Sequence, residues 1–469
     1  LQPHWSFKMI IPDLSLATIQ DTIKRELDRI ETARWQEIEM FLDYYENVET
    51  DKYIRSYFDS ETLRSVPMFT QSIVRRFTKA SSNVYGKSLD IERIVDDRYK
   101  EVTKGLNRKC RQLEELNFLL GNMCMRSRWD ESKEQMQYDL VPFYHVYFVD
   151  GMQDEPKAIL YPIQRSGFGK LEKELYAFWS VGMDGEQGYH FLIDSNGQMY
   201  SVNEENLNPY KNSKGESVLP FTFTRRQPRV RDYFGGNASD IIQASLQLDL
   251  AMTELALAIR MGATGGVKWI SGLDINPSEP IQVGVDKVLC LPSDTSFNMT
   301  APSGGLKEII DTTKFFIESV ASNNHLNISF ADVGNSAISG EALKILNIES
   351  IEQREASVED TWRTFEEERF AVDRVVLEQD AGIKIAEDYY VDFPEMDFPI
   401  SELDELQVIE KKKSMGILTQ KEILLHYNPD MDEAELSAKL GEIAEEKSQE
   451  TQATQPEPQG SLVERLINA

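Results

Sequence analysis

The sequence has 469 residues, of which 41% are hydrophobic, so it is long enough for two or three domains with cores of their own. Its formal net charge of −29 argues against tight, non-specific binding of nucleic acid, although not against a protein past which DNA moves without being held. No apolar run reaches the length of about 18 residues that a membrane span needs, and no signal-peptide pattern is visible. The cysteines form neither a metal-ligand nor a disulfide pattern, which is typical of a reducing cytoplasm: Cys110, Cys124 and Cys290.

The N-terminal part predicts helices followed by a β-rich region. Helices are expected over 12–48, 67–80 and 91–121. From 138 to 225, short β-rich runs alternate with hairpin signals such as DG and SNGQ, which predicts an antiparallel sheet. The helical spacing over 12–48 is set by Ile19, Ile23, Leu27, Ile30, Trp35 and Ile38.

The densest basic cluster of this acidic chain lies in a connector at 219–240. Salt bridges to the acidic surface of a neighbouring subunit and a role in nucleic-acid binding are both open, since no aromatic stacking pattern accompanies the cluster. Its members are Arg225, Arg226, Arg229 and Arg231.

Two helices flank a short β excursion in the middle of the chain. The first is predicted over 240–261, is apolar nearly all round and ends at the GATGG stretch of 262–266. Residues 267–302 predict short extended pieces, and a second helix follows over 305–324. Because the first helix lacks a polar face, we expect it to be buried on several sides.

A loop of small residues precedes the longest predicted helix. The stretch FADVGNSAISGEALKILNIES, 330–350, contains Ser339, which can cap a helix predicted over 340–379. Apolar residues of that helix form a heptad-like seam, interrupted only by Glu355 and Arg369. The seam consists of Ile348, Ile351, Val358, Trp362, Phe365, Val372 and Val376.

The C-terminal part predicts an acidic connector, three short helices and a polar tail. The connector covers 380–400, and the helices are expected over 401–415, 419–427 and 432–447. The low-complexity composition of 449–469 predicts disorder.

The sequence offers no catalytic motif. YGKS at 85–88 fails as a phosphate-binding loop, because Ser81 stands where the first glycine is required. Four acidic residues could mimic a two-metal nuclease site: Asp388, Asp392, Glu395 and Asp397. They lie beside prolines in an apparent loop, so a solvated acidic connector is the favoured interpretation. We therefore predict no enzyme, no catalytic or metal-binding residue and no cofactor.

The order of segments from 237 to 379 resembles the core of tailed-bacteriophage portal proteins, the head-to-tail connectors of siphophage type. The likeness is carried by GNASDIIQASLQLDLAMTELA in the first helix and by NHLNISFADVGNSAISGEALKI at the loop. Within the loop, Ser339, Gly340, Ala342 and Leu343 are similar to the Ser-Gly-x-Ala-Leu sequence of many portals. The run DFPISELDELQVIEKKKSMGILTQKEILLHYNPDMDEAELSAKLGEIAEEKS resembles the C-terminal portal pattern, whereas the N-terminal part matches in layout only.

This resemblance implies an α+β portal fold with named parts. An α/β wing covers 1–236. Two stem helices, over 237–266 and 303–324, flank a small α/β clip over 267–302. A tunnel loop over 325–339 leads into a long tunnel helix over 340–379, and a helical crown over 401–448 follows the acidic connector.

The resemblance also implies a ring of about twelve subunits at one capsid vertex of a virion, assembled in the host cytoplasm. Double-stranded DNA would be packaged and later ejected through its channel, past acidic walls that repel the phosphates. The implied partners are further copies of the chain, DNA, the terminase large subunit, a head-tail adaptor, and the major capsid protein and scaffold, with no membrane. Another structural virion connector and a metal-dependent nucleic-acid enzyme remain as alternatives.

Three groups of residues take roles in this interpretation. The tunnel loop is expected to face the channel. Its residues are mostly small, and Lys344 is the one nearby cation that could contact phosphates. The loop comprises Asp332, Val333, Gly334, Asn335, Ser336, Ala337, Ile338, Ser339, Gly340 and Lys344. The clip surface for terminase or adaptor comprises Lys268, Trp269, Lys287 and Asp294, and the subunit interface comprises Arg225, Arg226, Arg229 and Arg231. The plainer alternative for the loop is an ordinary linker between helices.

Overall fold

The fold is known from a computed structural model of the chain. It describes residues 15–30, 33–58, 68–71, 73–86, 91–149, 155–164, 175–182, 187–194, 196–203, 205–229, 232–263, 267–271, 296–300, 306–326, 347–395, 402–428, 431 and 435–443. The chain divides into two compact units, of which the first comprises Leu1–Asp332 with Asn347–Met396 and the second Val333–Leu346 with Asp397–Ala469. The described residues mix helices with antiparallel strands, which is consistent with the α+β class.

The first unit begins with helices that pack by their apolar faces. The helical prediction over 12–48 is confirmed by two helices, with Ile19, Ile23, Trp35 and Ile38 all buried. The next predicted helix begins later than expected, at Ile73, and the backbone N–H groups of Phe69 and Gln71 before it are bound to side chains of a later helix. The helices are α1 (Leu16–Ile30), α2 (Ala33–Glu46), α3 (Asp51–Ile54, followed by a 3₁₀ turn at Arg55–Tyr57) and α4 (Ile73–Ser81).

The prediction of a single helix over 91–121 is wrong. The segment is instead strand β1 (Glu92–Ile94), helix α5 (Asp97–Val102) and helix α6 (Leu106–Leu120). The Asp96 side chain accepts the Arg98 N–H and starts α5, while Gly105, with a φ of 88°, breaks the path between the two helices.

The antiparallel sheet predicted from 138 to 225 is confirmed and begins earlier, at Asn122. One sheet has three strands in the order β3-β2-β9, and a second is a meander of five strands from β4 to β8. The strands are β2 (Asn122–Asp130), β3 (Gln135–Val141), β4 (His145–Tyr147), β5 (Ala158–Gln164), β6 (Leu175–Ser180), β7 (His190–Asp194), β8 (Met199–Ser201) and β9 (Phe221–Arg225).

The helix, β excursion and second helix follow in the predicted order. Helix α7 spans Ser239–Ala263 and helix α8 spans Leu306–Asn323. Between them, β10 (Val267–Ser271) and β11 (Ser296–Thr300) form an antiparallel pair. Within the described ranges, one segment of α7, Ser239–Ile259, is long and apolar enough to cross a membrane by length and composition alone, a criterion that core helices of soluble proteins also meet.

The long helix, named α9, runs from Ile348 to Ala381 and contains two π-helical turns that the sequence did not predict. Its parts are Ile348–Ser357, a π turn at Val358–Trp362, Arg363–Val376 and a π turn at Leu377–Ala381. Gly382, with a φ of 68°, ends it. The predicted start of this helix, 340–346, lies outside the described residues. The acidic connector after it includes strand β12 (Tyr390–Asp392), which pairs antiparallel with β1.

The second unit is described only in part, as short helices. They are α10 (Glu402–Ser414), α11 (Gln420–Tyr427) and a helix over 435–443. Thr419 and Glu422 form a reciprocal capping box at the start of α11, which is why the helix begins there. The predicted tail, 449–469, lies outside the described residues.

Candidate subunit-contact and channel region

Helices α7 and α8 are joined antiparallel at one end by a polar junction. The Asn324 side chain donates from Nδ2 to Asp240 Oδ2 at 2.8 Å, which ties the end of α8 to the start of α7. The Asn324 Oδ1 accepts from the Arg226 guanidinium at 3.3 Å, and Arg226 also donates to the Phe118 carbonyl at 3.2 Å. The junction therefore fixes both helices to α6 and to the end of β9.

The arginines of the basic cluster have different surroundings in the structure. Burial lowers the pKa of Arg226 to about 10, and its guanidinium lies 3.7 Å from the centre of the Phe118 ring, so this residue is engaged within its own chain. Arg225 ends β9 and lies over the Tyr233 ring at 4.9 Å. Arg229 is exposed. Arg231 lies outside the described residues. A role of the cluster between subunits stays a prediction.

The inner face of α7 carries polar residues, contrary to the expectation from its apolar composition. Asp249 Oδ1 accepts the Gln71 N–H at 3.0 Å, and Thr253 Oγ1 accepts the Phe69 N–H at 3.3 Å. Asp249 is only 1% exposed, and burial raises its pKa to about 7. These two bonds hold the segment before α4 against α7, so α7 is fastened to the N-terminal helices by hydrogen bonds as well as by apolar contacts.

The ends of α8 and α9 meet around a polar cavity of about 140 Å³. His325, just after α8, and Glu349, at the start of α9, approach each other with 3.8 Å between Nδ1 and Oε2. Arg354 is buried in the cavity wall and donates to the carbonyls of Asn83 at 3.1 Å and Pro394 at 2.6 Å. The residues on either side of 327–346 therefore lie close together, because His325 precedes that segment and Glu349 follows it.

The middle of α9 is fixed by a buried ionic network centred on Arg369. Its guanidinium donates to Glu366 Oε2 and to Asp373 Oδ2, each at 2.6 Å, and all three side chains have no solvent exposure. Arg93, the middle residue of β1, donates to both oxygens of Glu366, so that two basic and two acidic side chains are in contact. Burial alone would raise the pKa of Glu366, but the Arg369 and Arg93 guanidiniums hold it well below its ordinary value.

Hydroxyl groups from several elements complete the network. Three of them donate to the carboxylate of Asp373, at 2.5 to 2.8 Å, and two donate to that of Glu366, at 2.5 and 2.8 Å. The donors are Tyr99, Ser127 and Tyr138 for Asp373, and Tyr85 and Tyr389 for Glu366. Because both carboxylates are shielded from water and each accepts hydrogen bonds from several donors, the network holds α9 against the three-stranded sheet.

Most residues assigned to the channel and clip fall outside the described residues. This applies to every tunnel-loop residue from Asp332 to Gly340, to Lys344, and to Lys287 and Asp294 of the clip. Lys268 and Trp269 lie on β10, where their backbones pair with Met299 and Asn298 of β11. The channel and clip roles of these residues stay predictions.

The acidic group considered for a nuclease site is spread along a strand and its flanks. Asp392 ends β12, where it pairs with Glu92 of β1, while Asp388 and Glu395 lie on either side of the strand and are exposed. Asp397 lies outside the described residues. Within the described part of the chain, no three His, Cys, Asp or Glu side chains are arranged to hold a metal ion.

The buried network on α9 is the feature that sequence reasoning missed. Arg369 interrupts the apolar seam in the sequence, but in the structure it occupies the seam as the centre of an ionic cluster. Glu366 and Asp373 are three and four residues from Arg369, a spacing that places the three side chains on one helix face and indicates ion pairs between them. Ile348, assigned to the seam, is 52% exposed instead. No protein-family model and no curated protein sequence matches this chain.

Proposed function

We propose that this chain is the subunit of a portal-type ring that conducts double-stranded DNA. The observation that carries the proposal is the connectivity of the first unit: α7, a strand pair, antiparallel α8, and then α9, entered beside the point where α8 ends. In this interpretation α7 and α8 are the stem, β10 and β11 belong to the clip, and 327–346 contains the loop that approaches the DNA.

The dimensions of the helix pair suit a stem. Helix α7 has 25 residues, which correspond to about 38 Å at about 1.5 Å per residue. Because Asn324 and Asp240 join the helices at one end, the strand pair lies at the other end, away from the sheets. Each strand of this pair has one edge that is paired with no described residue, and such an edge is available for strand addition by a neighbour.

The buried network fixes the position of α9, the helix that follows the proposed channel loop in the chain. Arg369, Glu366 and Asp373 fasten the helix to β1, α5 and the three-stranded sheet through fully buried contacts. The formal net charge of −29 also suits a channel wall, because acidic surfaces repel phosphates and do not retain the duplex.

The proposed partners follow from this role. The ring would contain about twelve copies of the chain, its clip end would dock the terminase large subunit during packaging and a head-tail adaptor afterwards, and its outer surface would meet the major capsid protein and scaffold. The site of action would be the portal vertex of a virion.

Negative-stain electron microscopy of the purified full-length chain, with light scattering of the same sample, tests the proposal. We expect closed rings with a central hole wide enough for a DNA duplex. A filter-binding assay should show that the rings do not retain linear DNA at physiological salt.

Two outcomes would contradict the proposal. One is a monomer at every protein concentration. The other is DNA cleavage in the presence of Mg²⁺ that is lost in Asp392→Ala, which would favour the enzyme alternative.

A further inference from the structure

An apolar groove with a basic rim lies between α4, α7 and α8. It has a volume of about 270 Å³, and its floor is formed by Leu248, Met252 and Leu255 of α7 with Ile310 and Ile317 of α8. The side chains of Arg76 and Lys314 line its edge, and neither forms an ion pair with a described residue. An apolar cavity of about 150 Å³ accommodates a benzene molecule, so this groove has room for an aromatic side chain.

The opposite face of α8 has the complementary character. At about 100° per residue, Phe315 points away from Ile310 and Ile317, and it is 70% exposed. Glu308 and Asp311 lie on the same face, within two turns of Phe315, and both are exposed. Neither carboxylate forms an ion pair with a described residue. Helix α8 thus presents an apolar groove with cations on one side and an aromatic ridge with anions on the other.

We propose that the groove of one copy receives Phe315 of a second copy, with Glu308 and Asp311 of the second copy facing Arg76 and Lys314 of the first. The inference rests on the proposed function, since it names the contact by which the ring would close. It commits to a second copy as the occupant because the complementary charge and the exposed aromatic ring are both present on this same chain.

The groove and the ridge lie on opposite faces of α8, so two copies cannot exchange both contacts with each other and the contact is heterologous. Each copy uses its groove for one neighbour and its ridge for the other, which generates a closed ring when the rotation between copies closes, and an open filament otherwise. A dimer held by this contact would leave one groove and one ridge unfilled, where further copies can be added. The charged rims also predict that assembly weakens as salt rises, because exposed charges are screened within about 10 Å at 0.1 M salt.

Charge reversal and mixing test this contact. In one variant the groove is reversed by Arg76→Glu with Lys314→Glu, and in the other the ridge is reversed by Glu308→Lys with Asp311→Lys. We expect each variant alone to remain monomeric in light scattering, because its like charges face each other, while an equimolar mixture assembles again. Lys214→Glu, an exposed reversal in a turn, is the control and should assemble as the wild type does.

Phe315→Ser tests the apolar part of the contact. Because Phe315 is mostly exposed, this variant should keep the wild-type circular dichroism spectrum and thermal midpoint while losing assembly. A wild-type chain that stays monomeric would overturn the contact together with the proposed ring. A wild-type chain that forms rings, with variants that also form them, would overturn the contact alone.

Discussion

Arg369 and Glu366 lie one turn apart on α9, completely buried, with 2.6 Å between guanidinium nitrogen and carboxylate oxygen. The pair stands where the apolar seam of the helix would otherwise continue, and it connects through Arg93 to β1. Taking charges out of water is costly, so such a network is stable only when every charge keeps its partners. Removing one member therefore leaves the others uncompensated inside the protein.

Replacing Arg369 with Met should destabilise the first unit strongly. The substitution leaves Asp373 without its cation and Glu366 with only one, so we expect the free energy of unfolding to fall by about 3–5 kcal/mol. Urea denaturation followed by tryptophan fluorescence measures the change.

The matched control is Arg98→Met. Arg98 forms an ion pair with Asp96 at 2.7 Å, but its side chain is 65% exposed. Ion pairs between exposed side chains contribute little to stability, so this variant should unfold almost as the wild type does. Equal losses in the two variants would show that the buried network contributes nothing particular to stability.

The sequence predicted the elements whose signals are local. The helical spacing around Ile19 and Trp35, the hairpin signals between 138 and 225, and the apolar stretch of α7 each led to an observed element. These patterns succeed because alternation and helical spacing follow directly from which side of an element faces the core.

Features that depend on partners distant in the sequence were not predicted. Strand β1 exists because β12, almost 300 residues later, pairs with it, and no local pattern in 91–121 indicates that partner. The role of Arg369 depends on hydroxyl groups brought by α5 and the sheet. The groove between α4, α7 and α8 arises only from packing, and the candidate channel loop remains a prediction from motifs.

Asp249 should make stability depend on pH near neutrality. Its pKa is about 7 in the folded protein, because burial disfavours the carboxylate, and about 3.9 in an unfolded chain. Between these values the folded state binds more protons, so the free energy of unfolding contributed by this group decreases as pH rises. Asp249→Asn removes the titration while keeping an acceptor for the Gln71 N–H.

The stability difference between Asp249→Asn and the wild type is the quantity to measure. It should grow between about pH 4 and pH 7, in favour of Asn, by at least about 1 kcal/mol, since one pKa unit corresponds to about 1.4 kcal/mol. Glu114, whose pKa is also raised to about 7 by burial, titrates in both proteins and cancels from the difference. A difference that does not vary with pH would contradict the assignment.

Glycine is required at the end of α6 for space as well as for backbone conformation. Gly105 and Gly121 flank the helix with φ values of 88° and 78°. A Cβ at Gly105 would have no neighbour within 4 Å, whereas one at Gly121 would lie 2.5 Å from the Gly236 carbonyl oxygen, in the segment leading to α7. Both substitutions to Ala strain the backbone by about 1–2 kcal/mol. Gly121→Ala should cost a further 1–3 kcal/mol, as overpacking does.

Thermal unfolding of the two alanine variants checks this difference. The Gly105→Ala variant serves as the control, because it carries the backbone strain without the collision. Midpoints that agree within error would mean that the Gly235–Gly236 segment moves aside freely, and that α7 is not positioned by its approach to Gly121.

Asn324 should stabilise the contact between the end of α8 and the start of α7. Its side-chain amide accepts from the Arg226 guanidinium and donates to the Asp240 carboxylate, and it also donates to the Val320 carbonyl at 2.9 Å. Asn324→Ala would leave these partly buried groups without that partner, at a cost of about 1–3 kcal/mol. The neighbouring Asn323→Ala, at an exposed position, should change stability by less than about 0.5 kcal/mol.

Amide hydrogen exchange locates the effect of these two variants. In Asn324→Ala, we expect faster exchange in the last turn of α8 and the first turn of α7, because the bonds that join them are lost. Exchange in α9 around Arg369 should stay unchanged, since its network shares no hydrogen bond with Asn324. If protection at the α7–α8 junction were the same in both variants, apolar packing rather than the Arg226–Asn324–Asp240 hydrogen bonds would hold α7 and α8 together.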